Sequence, residues 1–391
     1  MKRIKTEKLP VLLWGDDIEP GALRQIQNLA VFPYAYKHIA IMPDCHEGYG
    51  MPIGGVLATN KVVIPNAVGV DIGCGMCAIR TDLANIDNAT LAQLQQSIRT
   101  TIPLGFSHHK RRQDENLMPK GFDIDKMPVV RREYEPALYQ IGTLGGGNHF
   151  IELQKGSDGY IWLMIHSGSR NIGKQVADHY NQLAVRLNEK QKSAVPRSQQ
   201  LAYLFLDTQE GKTYIQEMTF CVDFAFANRK LLASHICSLL NETTGCNFLP
   251  YEGQEVINIA HNYAATEQHY GHQVMVHRKG ATRAAAGQTG IIPGSQGHKS
   301  YIVKGKGSKL SFESCAHGAG RKMGRNEARK RLNLKEEQQQ LESAGIVHAL
   351  RTHTDLDEAA GAYKDISRVM EQQSDLVEIA IELQPLMVVK G

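Results

Sequence analysis

The sequence predicts an α+β fold. Three observations carry that expectation: short β-like apolar runs, longer stretches with apolar residues at helical spacing, and an irregular order of the two unlike a regular βαβ wind. The β-like runs cover residues 38–42, 161–165 and 274–277. Residues 171–190 place Ile172, Val176, Tyr180, Leu183 and Leu187 on one stripe, and 216–240 and 89–99 read the same way. Core packing is a sufficient account of these stripes. Residues 105–132 are basic and poorly periodic, which predicts a mobile surface loop.

Glycine comes in bursts at 48–55, 69–75, 142–147, 287–297 and 318–324. Each burst follows or interrupts an apolar run, and such loops bring main-chain N–H groups against a ligand. Loops at strand ends are also where function usually sits. Arg321, Lys322, Arg325, Arg329, Lys330 and Arg331 fall within one or two helical turns. A charge run is ordinarily a solvated face. This one directly follows His317-Gly318-Ala319-Gly320, which favours phosphate contact at its start. No repeat or linker divides the chain, and the residues of chemical interest run from Asp44 to Lys390. One catalytic unit over 1–391 is expected.

The 44 basic and 40 acidic residues leave a small positive excess that neither requires nor excludes nucleic acid. No stretch offers the roughly twenty apolar residues of a membrane span, and Met1 to Glu7 lack the apolar run of a secretory signal. Seven scattered cysteines do not form a secreted disulfide scaffold. A cytoplasmic protein is expected, with its cysteines as thiols, ligands or packing residues.

Asp71-Ile72-Gly73-Cys74-Gly75 sets a carboxylate and a thiol three residues apart in a glycine-lined turn. A thiolate bridges two divalent ions, which one imidazole nitrogen cannot do, so Cys74 is the candidate bridge. Imidazoles complete such a site, and His149, His166 and His261 each end a β-like run beside glycine or asparagine. A lone histidine is more often structural, and a set of Asp, His and Cys suits Mn²⁺ as well as Zn²⁺.

Two motifs mislead. Cys74-Gly75-Met76-Cys77 is a C-x-x-C with no second pair to complete a zinc knuckle. Residues 168–174 match most of a P-loop, but Gln175 lacks the hydroxyl that would hold Mg²⁺. Anion binding at that helix start is still expected. The loop 48–54 resembles a dinucleotide loop, with one residue too many and a proline inside.

The most unusual string is Ser314-Cys315-Ala316-His317-Gly318-Ala319-Gly320-Arg321. Small residues leave the His317 ring open, and imidazole Nε2 can attack phosphorus to form a phosphoramidate. A structural histidine in a tight turn is the simpler account from chemistry alone. With this string the chain resembles the RtcB family of RNA ligases. The other matching stretches are Met42-Pro43-Asp44-Cys45-His46, Asn66 through Met76, Gly146-Gly147-Asn148-His149-Phe150 and His166-Ser167-Gly168-Ser169-Arg170. His261-Asn262-Tyr263, His277 through Thr282, Pro293-Gly294-Ser295 and Val388-Val389-Lys390-Gly391 follow, in the family's order.

The resemblance implies an α+β fold with sheets packed as a sandwich-like core, helices around it and the active site in a glycine-rich cleft. It implies two Mn²⁺ ions on Asp71, Cys74, His149, His166 and His261, with the thiolate bridging. His317 would attack the α-phosphorus of GTP and pass GMP to an RNA 3′-phosphate, itself formed from a 2′,3′-cyclic phosphate. A 5′-hydroxyl end then displaces GMP. Nucleotide contacts are implied for Asn148, Glu152, Asn262, Pro293, Gly294, Ser295, Gln296, Ser300, Gly318, Ala319, Gly320, Tyr363 and Lys390. Asp44 would orient His317, and Arg170 and Arg321 would hold phosphates.

Gln296, Gly324 and Cys45 stand where the family usually has methionine, serine and a small apolar residue. The length resembles a bacterial branch associated with RNA repair alongside a peptide-release-factor homologue. Two other functions fit parts of the sequence. A metal-dependent RNA end-processing hydrolase would need the metal ligands but not His317 or Lys390. An RNA-binding or release-factor-partner protein would need neither.

Overall fold

The structure is a computed structural model that describes residues 1–248 and 256–391. From the N-terminus, β1 (Lys2–Ile4) and β2 (Val11–Leu13) lead through α1 (Pro20–Val31) to β3 (Ala35–His46) and β4 (Ile53–Thr59). β5 (Val62–Val63) and α2 (Pro65–Val68) precede β6 (Gly75–Arg80), α3 (Asn88–Thr101) and α4 (Pro128–Ala137). β7 (Phe150–Gly156) and β8 (Ile161–Ser167) run into α5 (Arg170–Lys190), β9 (Leu204–Phe205) and α6 (Gln209–Thr244). Strands β10 (Val256–Ala260), β11 (Asn262–His269), β12 (His272–Lys279), β13 (Ala281–Arg283), β14 (Thr289–Ile292), β15 (Ser300–Gly305) and β16 (Ser314–Ala316) follow. Helices α7 (Arg325–Arg331), α8 (Leu334–Ser343) and α9 (Ile366–Gln372) come before β17 (Val377–Lys390).

A six-stranded sheet has the order β1-β2-β3-β4-β12-β11, and a seven-stranded sheet the order β10-β6-β8-β7-β17-β15-β14. The period-two alternation of strands builds the layers. In β3, Ile39 and Ile41 pack on Ala22, Ile26 and Leu29 of α1. Their neighbours Ala40 and Met42 face the other way, with Val56, Val276, Ile292, Tyr301 and Val303, into a core between the two sheets. On the far face of the second sheet, Ile151, Leu163 and Ile165 meet Leu94, Ile98, Leu232 and Ile236 of α3 and α6. Fully burying one such aliphatic side chain is worth about 1.5–3 kcal/mol. The α+β expectation holds, with two sheets face to face and helices outside.

The expected helices at 171–190, 216–240 and 89–99 fall in α5, α6 and α3, and the expected strands in β3, β8 and β12. Two expectations need correction. Residues 105–132 are not loop throughout: Pro128 opens α4, and Met118, Met127, Val129 and Val130 are buried. Proline at the first helical position starts this helix where periodicity was too short to reveal it. The basic run is helical only from Arg325, because Arg321 makes an isolated bridge with Tyr363. No disulfide forms among the described residues, which include all seven cysteines. None of their helices is long and apolar enough to cross a membrane.

His277 of β12 is fully buried and fixed as one neutral tautomer: Nδ1 donates to the Leu57 carbonyl at 3.1 Å, and Nε2 accepts from Ile64 N at 3.0 Å. Burial pushes its pKa down to about 4 from an ordinary 6.5. Between those values the unfolded chain holds the extra proton, so stability falls as pH drops through that window. The share of His277 is about 3 kcal/mol. Urea midpoints of wild type and His277→Gln between pH 7 and pH 4 measure it; the variant should show the shallower loss.

Candidate active site

Four segments converge at one end of the seven-stranded sheet. Cys74 immediately precedes β6 and His149 immediately precedes β7, while His166 is the sixth residue of β8. His261 links β10 to β11, and its N–H donates to the Cys74 carbonyl at 2.8 Å. His166 lies opposite Met76 in the ladder, on the face of β8 shared with Trp162 and Met164 rather than the helix-facing side of Ile165. Buried Arg229 of α6 braces the turn from behind, donating to the carbonyls of Gly73 at 2.9 Å and Ser167 at 2.8 Å.

The donor atoms form a chain of close approaches. Cys74 Sγ lies 3.3 Å from His149 Nε2 and 3.2 Å from His166 Nε2. His166 Nε2 is 3.3 Å from His261 Nε2, and His149 Nε2 is 3.0 Å from Asp71 Oδ2. His166 Nδ1 contacts the Asn148 carbonyl at 3.0 Å, and a carbonyl only accepts, so Nδ1 carries the proton. The Nε2 lone pair of His166 therefore faces the thiol and the other imidazoles. Burial holds His166 and His261 well below the ordinary histidine range and pushes the Cys74 thiol well up. Burial opposes ionisation of Asp71, but hydrogen bonds from His149 and Cys74 and the charge of Arg170 outweigh it and lower its pKa.

These donor atoms stand within hydrogen-bond distance of one another, and a bound cation would take the place of the protons they share. Cys74, His149 and His166 alone bring three ligand atoms within 4.8 Å of one another. A carbonyl on the outer nitrogen, as His166 has, is a usual arrangement for a metal-binding imidazole; the outer nitrogens of His149 and His261 are buried without a hydrogen-bond partner among the described residues. Cys74, His149 and His166 could hold a metal ion, and Asp71 and His261 each lie within hydrogen-bond distance of that group.

His317 adjoins this cluster. It follows β16, which pairs with β13, and its ring stands edge-on to His261 with centroids 4.8 Å apart. Asp44 of β3 is 0 % exposed; its Oδ2 lies 2.6 Å from His317 Nδ1 and accepts from His317 N at 3.1 Å. The carboxylate fixes the proton on Nδ1 and leaves the Nε2 lone pair for chemistry. Gly320 has φ +73°, and any Cβ there would collide with the Asp44 backbone, so the close approach of the two segments requires glycine.

A cavity of about 870 Å³ opens over these groups, within the range of small-molecule sites. It is lined by His317, the five donor residues, Asn148, Glu152, Asn262, Pro293, Gly294, Ser295, Gln296, Gly318, Ala319, Gly320, Arg321, Tyr363 and Lys390. Burial pushes Glu152 up to about 8, against the opposing charge of Lys390. Lys390 lies 5.6 Å from the ring centroid of Phe150.

The family model described as tRNA-splicing ligase RtcB matches residues 25–391. The chain belongs to the RtcB family. It is 38% identical to the RNA-splicing ligase RtcB of Escherichia coli K12, over 99% of both chains. It is 32% identical to the tRNA-splicing ligase RtcB of Nanoarchaeum equitans over 98% of this chain and 95% of that one. For the tRNA-splicing ligase RtcB of Thermococcus kodakarensis the identity is 29%, over 99% and 96%. The resemblance read from the motifs is thus met along the chain.

Three residues expected from that resemblance are engaged with partners of the protein's own. Arg170 is not among the cavity-lining residues: its guanidinium donates to Thr143 Oγ1 at 2.9 Å and the Gly105 carbonyl at 2.7 Å. Its charge acts on Asp71 from behind. Ser300 is also outside the lining, its Oγ accepting from Gln154 and Gly294. Arg321 lines the cavity, but Nη1 is paired with Glu358 Oε2 at 3.2 Å and Nη2 donates to the Asp357 carbonyl. At the P-loop-like helix start Asn171 N donates to Gln140 Oε1 at 3.0 Å, and Asp71 packs against Gly168. A side chain on Gly168 would strike Asp71 Oδ1, and Lys174 turns away to Asp178.

Glu358 was missed. Only 4 % exposed, its carboxylate receives Arg321, Arg325 Nε at 2.9 Å and the Tyr363 hydroxyl. Gln296, one of the departures, donates to the Glu358 carbonyl at 2.8 Å. The faint signal was an acidic residue directly before the small-residue run 359–362 that leads to Tyr363. Lys279 was also missed. Its buried amino group donates to the carbonyls of Tyr49, Met51 and Asn66, tying the glycine loop 48–55 to α2 at the cavity wall. Of the other departures, Cys45 is buried and its carbonyl accepts from Lys364. Gly324 caps α7 without any side-chain hydrogen bond.

Proposed function

We propose that the chain is a GTP- and Mn²⁺-dependent RNA ligase that joins 3′-phosphate or 2′,3′-cyclic-phosphate ends to 5′-hydroxyl ends, in RNA repair or transfer-RNA splicing. One observation carries this reading: an imidazole oriented by a buried carboxylate stands against a thiol–imidazole cluster inside a nucleotide-sized cavity. His317 Nε2 attacks the α-phosphorus of GTP, forming a P–N bond as pyrophosphate leaves. Asp44 keeps the Nδ1 proton in place and balances the charge the ring gains. Lys390 and the loop 293–296 hold the nucleotide, and Glu152 offers a carboxyl to its base. GMP passes from His317 to an RNA 3′-phosphate, and the 5′-hydroxyl of the second RNA displaces it. When bound, Mn²⁺ on Asp71, Cys74, His149, His166 and His261 would neutralise phosphate charge and act as a Lewis acid.

Residues of the site come from segments between 44 and 390, which supports treating 1–391 as one catalytic unit. The link to a peptide-release-factor homologue, like the cytoplasmic location, rests on the sequence reading alone. Product analysis tests the proposal. An RNA with a cyclic-phosphate end, a 5′-hydroxyl partner, GTP and Mn²⁺ should give a longer strand. Cleanly opened ends without any joined product would mean the protein is an end-processing hydrolase.

A further inference from the structure

Outside the cavity, the most exposed large apolar side chain is Phe106, 100 % accessible in a loop that contains Gly105, Ser107, His108, His109, Lys110 and Arg111. The loop is not a frayed end. Leu104 bridges Leu144, Leu144 N donates to the Pro103 carbonyl at 3.0 Å, and His109 N donates to the Tyr139 carbonyl at 2.9 Å. Arg170 grips the Gly105 carbonyl, and Gly105 turns the chain with φ +63°. A phenyl ring is thus held in water on a segment fixed at both sides, where packing it inward would ordinarily be favourable.

The position of this loop gives the ring a use. Gly105 lies against the cavity edge: a methyl group placed on Gly146, which lines the cavity, would touch the Gly105 Cα at 3.6 Å. Beyond Phe106, exposed Lys110 and Arg111 have no ion-pair partner among the described residues, whereas Arg112 is taken by Glu115 and Glu135. On the cavity side, half-exposed Arg325 lies against Gly147. Along the chain, an exposed aromatic ring and those two cations thus follow a residue fixed at the cavity edge, and a further cation stands on the cavity side.

We propose that Phe106, Lys110 and Arg111 form a subsite for the single-stranded segment of the RNA near the end being joined, with one unpaired base stacked on the Phe106 ring. The proposal rests on the RNA-joining reading above and adds where the strand leaves the cavity. Stacking on an aromatic face is indifferent to base identity, and cations beside it follow the phosphates without reading sequence.

Binding of a fluorescent 3′-phosphate RNA of about twelve nucleotides is followed by anisotropy, with the metal-loaded protein and no GTP. Phe106→Ala should weaken binding about tenfold, Phe106→Trp should keep it, and Phe106→Leu should lose as much as alanine. Lys110→Gln with Arg111→Gln should lower the slope of log affinity against log salt by about 1.4. Unchanged binding by Phe106→Ala overturns the subsite, as does leucine binding like wild type. A change in sedimentation by Phe106→Ala with RNA binding intact would assign the ring to a protein contact instead. The ligation reading is judged separately, by whether wild type forms a GMP adduct without RNA. Its failure there would leave the binding result standing.

Discussion

His317→Ala should form no covalent adduct when metal-loaded protein is incubated with GTP, whereas wild type should gain the mass of one GMP by intact-protein mass spectrometry. Ligation should fall on the order of 10⁶-fold, the scale of removing a nucleophile from a preorganised site. The reason is geometric. Asp44 is fully buried, spends Oδ2 on both His317 Nδ1 and His317 N, and so presents one nitrogen of one ring to the cavity. His261 and His166 hold their nitrogens toward Cys74 and each other, so neither replaces it. An adduct of undiminished yield on the alanine variant would remove His317 from the mechanism.

Cys74→Ala should have the second largest effect, on metal content before activity. The thiol is the atom shared between His149 and His166, and burial keeps it protonated until a cation displaces the proton. Without sulfur the imidazole lone pairs remain, but nothing joins them. Mn²⁺ affinity should drop at least about a hundredfold, beyond what loss of a supporting hydrogen bond costs. Equilibrium dialysis with metal analysis reads this directly. Equal metal uptake by the variant and wild type would mean that the thiol is only a packing residue.

The sequence disclosed the layers better than the site. Strand β8 declares itself as an apolar run, and α5 by its stripe, because both patterns follow from burying one face. Cys74 and Asp71 were legible together since one glycine turn carries both. Their meeting with His149, His166 and His261 was not, because sheet order decides it and no local pattern encodes that order. The motif resemblance supplied the set instead. The partners of Arg170 were hidden for a related reason: nearness to His166 in sequence does not tell that its guanidinium reaches Thr143 and Gly105. Glu358 escaped because a buried carboxylate is intelligible only once its arginine partners are located, and Arg321 and Arg325 lie more than thirty residues before it.

The β17 strand pairs with β7 on one side and β15 on the other, slipping register at Pro385, which has no N–H to give the ladder. It also carries Lys390 to the cavity. Leaving this strand out would bare the edges of β7 and β15, open to aggregation, and in the same stroke take a cation from the cavity wall.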